Sequence, residues 1–241
     1  MKEVPSKFVS KMSHDLKTPV GNAMMYAELL IEDLEALASD HPDLSDNLDP
    51  LASYCRNAHL SSLKLIYAIK SWSYCYHLQD DVFTLDKSEI DLQSLMQKVM
   101  DRNSILIKGK SLDVTMQYES SVRKMMASAE IVDMIMDNML GFLITLTGSG
   151  KAIGIEITDA EGGQVKIRFI AEPPAFKEAL IDNYCGDYKL ADKCIPEQGV
   201  LKPAGFPLIF NNLVLRYMNA DHGVDPEDHP SRSFWLNLPV S

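Results

Sequence analysis

His14 and Asp15 are adjacent, and Thr18 lies one helical turn further on, beside the histidine. An imidazole next to a carboxylate has a definite chemical use. The carboxylate can hold one ring N–H, fix the tautomer and raise the basicity of the other nitrogen. That second nitrogen is then a nucleophile. A histidine-aspartate pair alone is usually a solvated surface feature, so its meaning depends on the element that carries it.

That element reads as an amphipathic helix. Val9, Met12, Leu16, Ala23, Leu30, Leu34 and Leu37 recur at steps of three and four, or their sum. His14 is two positions from both Met12 and Leu16. At about 3.6 residues per turn it stands roughly 160° from either one, on the wet face. Pro19 removes one backbone hydrogen bond and is expected to bend the helix just past the histidine. The spacing predicts a first helix over about Pro5 to Ala38. A break rich in turn formers follows at Ser39 to Asp46, then a second helix over about Leu48 to Leu78. Leu51, Tyr54, Ala58, Leu65, Ile69, Trp72 and Tyr76 carry the second stripe. Two such helices form a hairpin that cannot bury its stripes alone. A second copy supplies the missing partner, giving a four-helix bundle. His59, His77 and the helix methionines read as packing or surface residues.

The order Phe8-Val9-Ser10-Lys11-Met12-Ser13-His14-Asp15-Leu16-Lys17-Thr18-Pro19 closely resembles the phosphoacceptor box of sensor histidine kinases, F-x-[SA]-x-[MVL]-[SA]-H-[DE]-[LI]-[KR]-T-P. The resemblance implies that His14 is the phosphorylated residue and Asp15 its acid/base partner. It implies that Thr18 positions water when a phosphorylated partner is hydrolysed. Docking of a response-regulator receiver domain is expected around Ser10, Lys11, Lys17, Gly21 and Asn22, all within about two turns of His14.

Composition narrows the partners. The chain has 241 residues, 46% of them hydrophobic, and a net charge of −11. That charge argues against a nucleic-acid backbone as partner. No run of five or six like charges occurs, so the negative charge reads as spread out. Cys55, Cys75, Cys185 and Cys194 form no C-x-x-C and no zinc-like spacing with histidine. No metal site is expected, and the cysteines read as free thiols of a reducing cytoplasm. Neither a signal peptide nor a membrane segment is legible. Only seven residues precede Phe8, so no sensor module is expected in this chain.

The expected fold class is α+β: a helical hairpin over residues 1–80, then an α/β sandwich over 81–241. Asp80 to Leu92 reads as a linker with one short strand, and Leu92 to Asn103 as a helix. Leu112 to Tyr118 alternates like a strand, and Glu130 to Leu146 is a long apolar helix. Ala152–Ile157 and Val165–Phe169 read as strands of a hairpin turning at Asp159 to Gly163. Leu208 to Met218 reads as a helix and Ser233 to Leu238 as a closing strand. The order predicts a mixed sheet with helices on one face. From about Ile90 onward it resembles the ATP-binding domain of histidine kinases.

The resemblance weakens at that domain's nucleotide motifs. Active kinases carry N-x-x-x-N, whose second Asn binds magnesium; Asn138-Met139-Leu140-Gly141-Phe142 keeps only the first. Phenylalanine cannot ligate a cation that demands oxygen. The D-x-G-x-G motif is replaced by Ile170 to Phe176, where Glu172 stands nearest the adenine-binding Asp, and Pro174 and Phe176 stand at glycine positions. Of the glycine-rich phosphate loop, Lys202 to Leu208 keeps only Gly205, better read as the residue before a helix. Lys177 to Leu201 has no lid signature. Phosphoryl transfer from ATP depends almost wholly on such positioning.

Asn138, Glu172 and Gly205 therefore read as relics, and no cofactor is expected on this chain. The favoured reading is a dimeric histidine phosphotransfer protein. His14 takes a phosphoryl group from one receiver aspartate and passes it to another, with magnesium supplied by the receiver. A divergent ATP-dependent kinase, the one case in which ATP binds here, is the alternative. A non-enzymatic receiver-docking adaptor is the second.

Overall fold

The computed structural model describes residues 6–77, 84–171, 184–185, 205–225 and 233–240. The chain divides into two compact units, Met1–His77 and Leu78–Ser241.

The first unit is a hairpin of two long helices. α1 spans Ser6–Asp40 and runs unbroken through Pro19. α2 spans Ser45–His77. Between them only His41 and a single 3₁₀ turn, Pro42–Leu44, interrupt the helical run. The reversal is tight because His41 N–H still donates to the Leu37 carbonyl at 2.9 Å, while Pro42, lacking an N–H, opens the next turn.

The two helices meet along a heptad seam. On α1 it runs Val20, Met24, Ala27, Ile31, Leu34 and Ala38; on α2 it runs Leu48, Ala52, Cys55, His59, Ser62, Ile66 and Ile69. Steps of four and three hold one face of each helix against the other. His59 Nδ1 lies 3.3 Å from the Met24 carbonyl and Arg56 pairs with Glu35 at 2.9 Å, which fixes the register.

Most of the stripe read from the sequence lies elsewhere. Leu16, Ala23, Leu30 and Leu37 on α1, and Leu51, Tyr54, Ala58 and Leu65 on α2, are exposed. Each helix thus carries two apolar seams, one closing the hairpin and one facing outward. Ten of the twelve exposed large hydrophobic side chains among the described residues belong to this hairpin.

The second unit is an α/β sandwich. β1 (Ser88–Asp91) pairs antiparallel with β3 (Lys124–Ala127). Asp91 ends β1 and caps α3 (Leu92–Gly109), its carboxylate accepting from Ser94 N–H at 2.8 Å. That bond holds the Asp91 carboxyl below the usual carboxylate range.

β2 (Asp113–Tyr118), β4 (Ala152–Ala160), β5 (Gln164–Ala171), β6 (His222–Val224) and β7 (Ser233–Pro239) form one sheet in the order β2-β4-β5-β7-β6. β2 and β4 are parallel and the other pairs antiparallel. α4 (Ala129–Leu146) links β3 to β4, and α5 (Gly205–Tyr217) precedes β6. Gly162 and Gly163 turn the β4–β5 hairpin at φ of 72° and 70°, a conformation that favours glycine.

One sheet face is fully buried: Ile153, Ile155, Ile157, Val165, Ile167, Phe169, Phe234, Leu236 and Leu238. α4 is apolar nearly all round, as a helix enclosed by the core must be. The α+β architecture is the expected one. β3 and β6 were not legible in the sequence; β4, β5 and β7 run longer than expected, and β2 starts one residue later, at Asp113. Most of the expected lid, Lys177 to Leu201, lies outside the described residues.

Candidate functional site

His14 projects from the first third of α1 into solvent, its side chain 82% exposed. Helical periodicity places it there: Ser13, one position back, is buried, while Lys11, Asp15 and Thr18 share the open face. The His14 Nδ1 and Asp15 Oδ1 atoms are 3.4 Å apart. At that distance the pair is poised rather than clamped, and a small rotamer adjustment brings it to hydrogen-bond length. Nε2, on the far side of the ring, points away from this contact. The arrangement offers a nucleophilic nitrogen whose tautomer a neighbouring carboxylate can set.

Thr18 Oγ1 donates to the His14 carbonyl at 3.3 Å, so the hydroxyl sits one turn from the ring, bonded to backbone. Lys11 and Asn22 are exposed, and Lys17 and Gly21 half-buried. The side chain of Ser10 lies outside the described residues.

Of the three residues read as nucleotide relics, Asn138 lies on α4 and Gly205 opens α5. Asn138 Nδ2 donates to Asn211 Oδ1 at 3.0 Å, and Asn211 Nδ2 donates to the Ile135 carbonyl at 3.2 Å. The amide of Asn138 is thus part of a polar clasp between α4 and α5. Gly205 is the first residue of α5 rather than the one before it, with Pro207 in the first turn, where a missing N–H costs nothing. Glu172 lies outside the described residues.

Phe142, which the sequence reading set at the second Asn of the kinase motif, is 4% exposed. Its ring meets Phe234 of β7 edge-to-face at a centroid distance of 5.5 Å. Phe234 in turn meets Tyr184 at 5.2 Å. Tyr184 is fully buried, with its hydroxyl donating to the Trp235 carbonyl at 3.1 Å. Burial pushes the Tyr184 phenol well above its ordinary range. Three aromatic rings in edge contact are apolar packing and offer no oxygen ligand to a hard cation. The residues present do not fit a magnesium ion at this place.

Two polar clusters escaped the sequence reading. Arg102 on α3 donates to Asp133 at 3.0 Å and to Asp137 at 3.1 Å on α4, and Asn103 adds a bond to Asp137 at 2.8 Å. Burial pushes the Asp137 carboxyl up against the pull of Arg102. On the sheet, Arg168 bridges Glu156 and Asp225, each at 2.8 Å, and Ser233 donates to Asp225. Both join elements distant in sequence, and each partner alone looks like an ordinary surface charge. Among the described residues no group of histidine, cysteine, aspartate or glutamate could hold a metal. No described helix is long and apolar enough to cross a membrane.

Residues 6–64 match the family model of the His Kinase A (phospho-acceptor) domain. Over 163 residues, 68% of the chain, it is 23% identical to the sensor protein CopS of Pseudomonas syringae pv. tomato, of which it spans 30%. Among solved structures, full-length ShkA in complex with AMPPNP matches over 99% of this chain and 46% of that one, at 16% identity and a TM-score of 0.63. Histidine kinase ThkA, in complex with the response regulator protein TrrA, matches over 98% of this chain and 64% of that one, at 14% identity and a TM-score of 0.52. The chain therefore spans less than half the length of the first relative in either comparison.

Proposed function

We propose that this chain, a sensor histidine kinase core in its phospho-acceptor helices and its fold, works in a two-component system as a phosphate relay that does not use ATP. His14 attacks the phosphoryl group of a receiver phospho-aspartate and later returns it to the aspartate of another receiver. Attack forms an N–P bond and breaks the acyl O–P bond, leaving the aspartate as carboxylate. The return step reverses this, so no outside oxidant, reductant or nucleotide is consumed. Asp15 holds the imidazole tautomer and offsets charge on the phosphorylated ring, and the receiver brings the magnesium. Thr18 orients water for receiver dephosphorylation in this reading. The outward apolar seams of α1 and α2 take a second copy, completing a four-helix bundle.

The observation that carries the ATP-independent half of this reading is Phe142, packed into the core at the place of an oxygen ligand. The competing reading, an autophosphorylating kinase, draws on the likeness in fold to ShkA, which was solved in complex with AMPPNP.

The experiment is incubation with receiver domains phosphorylated by acetyl phosphate, with and without ATP and magnesium. Transfer to the wild-type chain, none to His14→Gln, and no labelling from ATP are expected. Labelling of His14 by ATP would end the reading, as would transfer that survives His14→Gln. His14 is so exposed that the substitution should leave the fold intact, with unfolding free energy changed by no more than about 0.5 kcal/mol.

A further inference from the structure

The end of α4 is held by an ammonium group. Past Leu143, whose carbonyl still accepts from Thr147 N–H at 2.8 Å, the last carbonyls of the helix have no helical donor. Lys110 Nζ reaches them from the end of α3. It donates to the Ile144 carbonyl at 2.7 Å, the Thr145 carbonyl at 3.0 Å and the Thr147 carbonyl at 3.2 Å. The backbone of Lys110 is anchored as well. Its N–H donates to the Leu106 carbonyl at 3.2 Å, and its own carbonyl accepts from Gly150 N–H at 2.9 Å. One residue thus ties the ends of α3 and α4 to the turn that leads into β4.

The chemistry of this place is that of a cation site. Among the described residues the ammonium has three partners, all of them neutral carbonyl oxygens. Carbonyls at a helix C-terminus form the negative end of the helix dipole. In ion filters such oxygens replace the hydration shell of a monovalent ion, whereas proteins hold calcium and magnesium largely through carboxylates. A lysine has three N–H donors, and the three carbonyls use them all. A fourth oxygen is left over. Thr147 is 5% exposed, and its Oγ1 is buried with no hydrogen-bond partner among the described residues. Thr145 and the turn from Gly148 to Gly150 are exposed, which gives an ion a path in from water.

We infer that the C-terminus of α4 is a monovalent-cation site which this chain fills with the Lys110 ammonium, and that potassium or ammonium ion takes its place when that side chain is shortened. The carbonyls of Ile144, Thr145 and Thr147 are ligands in both cases. A spherical ion is not limited to three directed N–H bonds, so the Thr147 hydroxyl oxygen that Lys110 leaves unused joins the set. Such a site owes nothing to His14 or to phosphate relay. It gives α3 a second cationic grip on α4, at the end of the helix, besides the one Arg102 has on Asp133 and Asp137.

The test is urea unfolding of the full chain carrying Lys110→Ala, followed by Trp235 fluorescence in a Trp72→Phe background. It is run in potassium, ammonium and tetramethylammonium chloride at equal ionic strength, each time against the chain with Lys110 intact in the same salt. In tetramethylammonium, too bulky to enter, loss of the charge-assisted hydrogen bonds should raise the unfolding constant about ten- to a hundredfold. Potassium and ammonium should recover most of that loss along a saturating curve, as binding to the folded state alone requires. Lys110→Met, whose stem still fills the approach, should lose as much and recover in none of the three. Adding Thr147→Val to Lys110→Ala should remove most of the recovery. An unfolding constant unchanged by Lys110→Ala overturns the inference, and so does a loss of equal size in all three chlorides. Equal recovery in Lys110→Met, or a Lys110→Ala chain that folds in none of the salts, overturns it too.

Discussion

Truncating Phe142 separates a core residue from a displaced cleft residue. If the ring were part of an open nucleotide cleft, Phe142→Ala would cost well under 1 kcal/mol, as for a surface substitution. It is instead 4% exposed and stacked edge-to-face on Phe234 at 5.5 Å. Full burial of a phenylalanine and the cavity left behind place the cost at about 3–5 kcal/mol. Of this, about 0.5–1.5 kcal/mol belongs to the ring pair and should appear as coupling in a double-mutant cycle with Phe234→Leu. For a unit of this size that lowers the melting temperature by roughly 6–20 °C. The assay is urea unfolding of the full chain in a Trp72→Phe background, so that fluorescence reports Trp235 in the second unit alone, with helix content as a second probe. Phe142→Asn, which restores the amide of the kinase motif, should be at least as damaging and should not confer ATP binding. An unchanged midpoint for Phe142→Ala, or micromolar ATP affinity in Phe142→Asn, would refute the reasoning.

Two more outcomes follow from the same structure. Leu30→Glu with Leu65→Glu places charge on the outward seam of both helices, where the leucines are 51% and 50% exposed in the single hairpin. The wild type should sediment as a dimer at micromolar concentration and the variant as a monomer; a wild-type monomer would remove the bundle. Asp137 acts through pH. Its folded-state pKa is raised, so its contribution is fully present below the ordinary carboxylate value and is lost as pH rises through the raised one. Asp91 and Asp159, held low by hydrogen bonds, act in the opposite sense, their contribution disappearing as pH falls below about 3.8. Asp137→Asn should therefore flatten the decline in stability on the alkaline side of that value and leave the acid limb alone. An unaltered profile in denaturant titrations across pH would show that Arg102 holds the carboxyl charged throughout.

What could be read beforehand follows the range of the interactions. The two helices, the strands flanking Gly162 and Gly163, and the exposed His14 depend on local periodicity and turn chemistry. β3 and β6 are only four and three residues long and take their strand geometry from β1 and β7 across the chain. No local alternation reveals them. The Arg102 cluster, the Arg168 bridge and the Asn138–Asn211 clasp link residues between 12 and 73 positions apart. Individually those residues look ordinary in sequence. Phe142 was legible as the loss of a ligand but not as a core residue, because its partner, Phe234, arrives only with β7.

The two apolar seams of the hairpin show how a correct pattern can be assigned to the wrong surface. Positions 16, 23, 30 and 37 repeat every seven residues, as do 51, 58 and 65. Positions 20, 24, 27, 31, 34 and 38 repeat with the same period on another face. A helix has room for both seams, and periodicity alone cannot say which closes first. The register decides, because Arg56–Glu35 and His59–Met24 hold the inner seam and leave the other outward. The same register fixes how the outer seam and the exposed His14 lie along the hairpin. Closing the outer seam with a second copy would double the number of acceptor histidines without covering a ring that already points to solvent.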